Sequence, residues 1–185
     1  MKTLTKLQIV RMIEDDPEMM GVLRAVASLD LPDWYVCAGF VRNKVWDYIH
    51  DNKQRTKPGD IDVMFFDRKD RALAAKAEAR LRELNPELDW DVGNQAFSHE
   101  ENNDRPYSST EDALSKQPET VTALGVRLQA GKVGLACPHG IDDLVSCTIR
   151  PTPIFYEHPD RKQIVVQRLY QKKLFEKWPK LKVII

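Results

Sequence analysis

The run Pro58-Gly59-Asp60-Ile61-Asp62-Val63-Met64-Phe65-Phe66 limits what this chain can fold into more than any other segment. A Pro-Gly turn followed by an apolar run reads as a strand entered from a tight turn. Side chains alternate across a strand, so Asp60 and Asp62 point to the same face. Two carboxylates at that spacing repel when both are ionised, and a fold gains nothing from them unless solvent or a cation screens the pair. Hard oxygen donors suit Mg2+ or Mn2+, and Mg2+ takes one or two carboxylates and fills the rest of its shell with water and substrate phosphates. Asp89 and Asp91 lie at one parity on the next expected strand, Leu88 to Phe97. Either completes the cluster if the two strands are neighbours, and spacing does not choose between them.

Around that strand the pattern alternates between strand and helix. Two short helices are expected within residues 1–30, the second opened by Asp16-Pro17-Glu18, where Asp caps, Pro fits the first turn and Glu complements the dipole. Leu31-Pro32-Asp33 breaks the pattern, and Trp34 to Ala38 reads as a buried strand running into Gly39. Val41, Val45 and Ile49 then mark one face of a helix, as do Leu73, Ala77, Leu81 and Leu84 before Asn85-Pro86. Glu100 to Pro118 is a polar loop with about one turn of helix after Ser109-Thr110. Val121 to Leu128 and Val133 to Cys137 form a hairpin, Ile141 to Ile149 a helix, and Arg161 to Lys177 a basic helix. With no internal repeat, the expectation is one domain over residues 1–185, closed by a C-terminal helical extension over 151–185.

At Gly39 the strand-to-helix junction carries Arg42, Asn43 and Lys44 in the first helical turn. Free amides and the helix dipole draw anions there, which makes the junction a candidate cradle for a triphosphate.

Bulk properties narrow the setting. Lys plus Arg and Asp plus Glu each number 28, so the formal net charge is zero. That balance argues against a large sequence-independent nucleic-acid footprint. Three cysteines, Cys37, Cys137 and Cys147, lie far apart without a C-x-x-C pair, which suggests neither a disulfide framework nor a zinc ribbon and points to a reducing cytoplasm. No apolar run has the length of a membrane span. His50, His99, His139 and His158 are scattered, so zinc is not supported. The C-terminal cations Arg161, Lys162, Arg168, Lys172, Lys173, Lys177, Lys180 and Lys182 read as a solvated helix face. Val166, Leu169, Tyr170, Leu174 and Trp178 anchor that helix.

Ala38-Gly39-Phe40-Val41-Arg42-Asn43 and Gly59-Asp60-Ile61-Asp62-Val63 together resemble the Gly-Gly-x-Val-Arg-Asp and Asp-h-Asp-h signatures of CCA-adding enzymes, within the DNA polymerase beta-like nucleotidyltransferase superfamily. Asp91 to Ala96, Ala123 to Leu128 and Gly140 to Leu144 extend the likeness to a nucleotidyltransferase-like family of bacterial proteins over most of the chain. The resemblance implies an α/β (α+β) fold with a mixed sheet backed by helices. It implies Asp60, Asp62 and, rather than Asp89, Asp91 as catalytic metal-binding acids, and Gly39 and Arg42, flanked by Asn43 and Lys44, as nucleotide-binding residues. Asn94 and Gln95 are candidate substrate contacts. The implied activity is Mg2+-dependent transfer of a nucleoside monophosphate from a nucleoside triphosphate to an unknown small-molecule or protein acceptor. Ala38 stands where the signature has its first Gly, so the alternative is a catalytically degenerate nucleotide-binding or regulatory protein of the same fold.

Overall fold

The computed structural model describes residues 4–185. Helices α1 (Lys6–Glu14) and α2 (Pro17–Ala27) open the chain. Each begins on a side chain that satisfies its free amides: Thr5 and Gln8 form a reciprocal capping box, and the Asp16 carboxylate accepts from the amides of Glu18 and Met19. Strand β1 (Tyr35–Cys37) runs into α3 (Gly39–His50). Strand β2 (Ile61–Phe65) is joined through α4 (Leu73–Leu84) to β3 (Trp90–Asn94). Helices α5 (Gln95–Asn102) and α6 (Thr110–Leu114) precede the hairpin of β4 (Gly125–Gln129) and β5 (Lys132–Ala136). The chain ends in α7 (Asp142–Val145), β6 (Thr148–Ile149), α8 (Pro153–Tyr156), α9 (Pro159–Gln171), α10 (Leu174–Lys177) and β7 (Lys182–Val183).

The main sheet has the order β3-β2-β1-β4-β5. It is mixed, as expected: β2 and β3 are parallel and the other neighbours antiparallel. A parallel pair cannot be joined by a tight turn, and α4 supplies the crossover. Val36, Ile61, Val63, Phe65, Trp90, Val92 and Val126 pack into the main core, to which α1 to α4 contribute. Tyr35, Cys37, Met64 and Ala136 face the other way and are covered by Tyr107, Ala113 and Leu114. Asp62 alternates with Ile61 and Val63, so it stands on this second face, away from the main core.

Four expected elements differ. The third strand ends at Asn94 rather than Phe97, because the Asn94 side-chain oxygen accepts from the amides of Asp67 (3.0 Å) and Ala96 (3.2 Å) and so starts α5. The hairpin's first strand begins at Gly125, four residues after Val121, since Thr122 and Ala123 donate their amides to Glu119 in a turn. The helix expected over 141–149 stops at Val145; Cys147 takes φ 54° and turns the chain into β6, which pairs with β7. The basic helix spans Pro159–Gln171 and is broken at Lys173 (φ 48°), after which α10 sets off in a new direction. Of its expected anchors, Leu169, Leu174 and Trp178 are buried, Val165 replaces Val166, and Tyr170 is 80% exposed. No described helix is long and apolar enough to cross a membrane.

Candidate active site

Parallel pairing of β2 and β3 sets Asp62 directly opposite Asp91. Asp60, two residues before Asp62, joins them just ahead of the strand, and carboxylate oxygens of the three lie within 4.8 Å of one another. Among the described residues this is the one cluster of three or more His, Cys, Asp or Glu side chains that could hold a metal ion. Asp89 is not in it. Its backbone carbonyl accepts from Ile61 (2.7 Å), while its exposed carboxylate lies 3.7 Å from Arg82. The choice that spacing left open is made by register.

The cluster carries an electrostatic cost. Burial, then the Asp60 and Asp91 carboxylates, pushes Asp62 up to about 7, and Lys172 and Arg168 offset only part of this. Desolvation and the carboxylates of Asp60, Glu78 and Asp89 hold Asp91 above the usual range. Three converging carboxylates, open to solvent at Asp91, fit a hard divalent cation that retains water.

Asp60 and Asp62 line a cleft of about 350 Å3 together with Gly39, Arg42 and Asn43 and the α9–α10 junction. The turn into α3 is made by Ala38, at φ 51° and ψ −117°, and not by Gly39. A left-handed alanine of this kind is strained by about 1–3 kcal/mol. No side chain caps α3, so its first amides face the cleft without a protein acceptor of that kind.

Arg42 is 6% exposed, and its guanidinium lies over the rings of Trp46 (5.2 Å) and Trp178 (5.9 Å). Its Nε and Nη2 both donate to Asn43 Oδ1, at 3.3 and 3.0 Å. Asn43 in turn donates to the Thr56 carbonyl at 3.4 Å. Burial lowers Arg42 to about 10, with Glu119, Asp62 and Asp60 pulling the other way, so it is charged at neutral pH. Asn43 is therefore both a lining residue and the group that orients Arg42.

Asp47, one turn further along α3, holds the cleft's shape. It accepts from the Thr56 amide (2.6 Å), the Thr56 hydroxyl (2.8 Å), Asn52 (2.9 Å) and Trp178 Nε1 (2.9 Å). One carboxylate thus ties the loop before Pro58-Gly59 and the C-terminal segment to the same helix.

The structure brings Asp60, Asp62, Asp91, Gly39, Arg42 and Asn43 together. It does not bring Lys44, whose ammonium pairs with Asp16 at 2.7 Å on the α2 cap. Asn94 and Gln95 also lie off the cleft: Asn94 caps α5 and donates to the Asp67 carbonyl, and Gln95 donates to the Gly93 carbonyl. Lys172, Lys173 and Lys177 are exposed, as expected from sequence, and they also line the cleft. The signal available was the density of cations around a single buried tryptophan, Trp178.

A family model described as a nucleotidyltransferase matches residues 24–183. A structure solved by NMR and described as a CCA-adding enzyme head domain is 35% identical, with a TM-score of 0.86 over 97% of this chain and 96% of that chain. A CCA-adding enzyme in complex with CTP gives a TM-score of 0.61 at 16% identity, over 96% of this chain and 43% of that one. Another in complex with ATP gives 0.59 at 17%, over 88% and 41%. The chain thus spans less than half the length of those two enzymes, and they speak to the fold alone. No curated protein matches the chain. The fold is that of DNA polymerase beta-like nucleotidyltransferases.

Proposed function

The chain belongs to the nucleotidyltransferase family, and we propose that it moves a nucleoside monophosphate from a nucleoside triphosphate to a hydroxyl of a small molecule or protein. One observation carries this reading: Asp60 and Asp62, clustered with Asp91, share a single cleft with the uncapped start of α3 and the buried guanidinium of Arg42.

Asp60, Asp62 and Asp91 would hold Mg2+ or Mn2+, which when bound supplies Lewis-acid activation of the incoming hydroxyl and neutralises charge on the leaving pyrophosphate. The amides and dipole of α3 draw a phosphate to Gly39, where the absent side chain leaves room. Arg42, set by Asn43, presents its remaining N–H groups to phosphate oxygens. Asp91, exposed beside the more buried Asp62, takes the proton of the acceptor hydroxyl. The oxygen then attacks the α-phosphorus, and the bond to pyrophosphate breaks. Most of the acceleration comes from positioning and charge neutralisation.

The CTP and ATP complexes of fold relatives support a nucleoside triphosphate as donor. Balanced charge favours a small-molecule or protein acceptor over nucleic acid. Three free cysteines, two of them buried, suit a reducing cytoplasm. The strained Ala38 turn favours a second reading, a nucleotide-binding or regulatory protein without turnover.

The two separate on label transfer. The protein is incubated with α-phosphate-labelled triphosphates, Mg2+ or Mn2+, and fractionated extract as the acceptor source. The enzyme reading expects label in an acceptor fraction, lost in Asp62→Ala and Asp91→Ala proteins that remain folded. Triphosphate binding with no transfer under any of these conditions would leave the second reading in possession.

A further inference from the structure

The cleft has a wall that the nucleotidyltransferase signatures do not describe. Lys172, Lys173 and Lys177 line it together with Asp60 and Asp62. Lys57 lines it too, while other cations nearby are committed to protein partners: Arg168 to Glu119 (2.8 Å), Lys180 to the Ile49 carbonyl (2.7 Å) and Lys44 to Asp16 (2.7 Å). Lys173 has only Glu176 at 3.9 Å. The ammonium groups of Lys172 and Lys177 have no hydrogen bond or ion pair among the described residues. Lys172, Lys173 and Lys177 are all exposed, so water satisfies their ammonium groups; what sets them apart is that they share one cleft with the buried Arg42.

The wall is also fixed in place. Lys173, in the left-handed region at φ 48°, ends α9 and bends the chain around the cleft. Leu169 and Leu174 are buried on either side, and Trp178 is clamped by Asp47 and the edge of Trp46 (5.2 Å). The helix whose start lines the cleft therefore also holds in place the lysines that line it. Arg42, Lys172, Lys173 and Lys177 outnumber Asp60 and Asp62 along the lining, an excess that a polyanion neutralises. Desolvation and the charges of Arg168 and Arg42 hold the Lys172 ammonium below the usual lysine range, a cost that an anion between them removes.

We propose that Lys172 and Lys177 bind the β- and γ-phosphates of the incoming nucleotide, the part that leaves as pyrophosphate. The assignment rests on the cleft being a nucleotide site. The α-phosphorus has to sit at the acids to be attacked, so lysines lining the same cleft are left to meet the phosphates beyond it. Lysine suits this role as a mobile point charge that tolerates more than one arrangement of phosphate oxygens.

Calorimetric titration tests it, using the full chain with Mg2+, inorganic pyrophosphate, the four common nucleoside triphosphates and their monophosphates. The variants are the double change Lys172→Gln with Lys177→Gln, the double change to Arg, and Lys162→Gln, a lysine over the Tyr156 ring and outside the cleft. The Gln double variant is expected to bind pyrophosphate and triphosphate at least about tenfold more weakly and monophosphate within about twofold, at unchanged ligand-free Tm. The Arg double variant restores most of the loss, and Lys162→Gln binds as wild type does. Unchanged triphosphate affinity in the Gln variant, an equal loss for monophosphate, or an equal loss in Lys162→Gln would overturn the assignment while leaving the nucleotide site standing. A wild type that binds neither triphosphate nor pyrophosphate would overturn both.

Discussion

In the absence of divalent metal, raising the pH should destabilise the wild-type protein through Asp62, and Asp62→Asn should remove that part of the dependence. Burial, with the carboxylates of Asp60 and Asp91, raises Asp62 from 3.8 to about 7. A folded value above the unfolded one means that the native state keeps a proton the unfolded chain has released. The stability this contributes is complete below 3.8, declines as pH rises toward about 7, and is gone above it. At about 1.36 kcal/mol per pH unit the window amounts to at most about 4 kcal/mol, and solvent on the open side of the cluster brings it nearer about 2. In a chain of this length, about 2 kcal/mol moves Tm by about 4–8 °C. Calorimetric unfolding in chelator between about pH 5 and about pH 8 reads the effect, as the difference between wild type and Asp62→Asn. Saturating Mg2+ should stabilise the wild type most at the upper end, where the carboxylates are ionised. Parallel pH profiles for the two proteins would refute the claim that the three acids strain the metal-free fold.

Three further changes probe the frame of the cleft. Asp47→Ala leaves Trp178 Nε1 and the Thr56 amide without their acceptor and should cost about 3 kcal/mol in urea unfolding, with a shift in tryptophan fluorescence. Ala38→Gly removes the left-handed strain and should stabilise by about 1 kcal/mol after the entropy cost of glycine; an unchanged or lower Tm would show that Ala38 is relaxed. Gly39→Ala places a methyl at ordinary contact distance from Pro58 (3.6 Å) and Arg42 (3.7 Å), so stability should hold within about 0.5 kcal/mol. Triphosphate affinity, read by calorimetry, should nevertheless fall about tenfold as the methyl enters the phosphate space.

Much of the acid side of the site was legible because strand parity is rigid. Asp60-x-Asp62 after Pro58-Gly59 specifies two carboxylates on one face whatever the surrounding fold. Choosing Asp91 over Asp89 required either the family likeness or the strand register, since both residues have the same parity. The lysines of the cleft were harder to read for physical reasons. Lysines at helical spacing look solvated in any sequence, and the turn that carries them into the cleft depends on Lys173 adopting a conformation for which lysine has no preference. Asn94, a candidate substrate contact from its place at a strand end, has its side chain engaged in capping α5, a role that an amide at a strand end also allows. The pairing of β6 with β7 joins Thr148 to Lys182 across a long stretch of chain, and two-residue strands leave no periodicity to detect.

The central claim, a nucleotide held at the three acids, is tested most directly by thermal unfolding with each nucleoside triphosphate, with and without Mg2+ or Mn2+, in wild type and Asp62→Ala. Ligand at about a hundred times its Kd stabilises by about 2.7 kcal/mol, a rise in Tm of about 5–11 °C for a chain of this length. The account predicts such a metal-dependent rise for at least one triphosphate, absent in Asp62→Ala. No rise at saturating millimolar triphosphate, or an equal rise in both proteins, would contradict it.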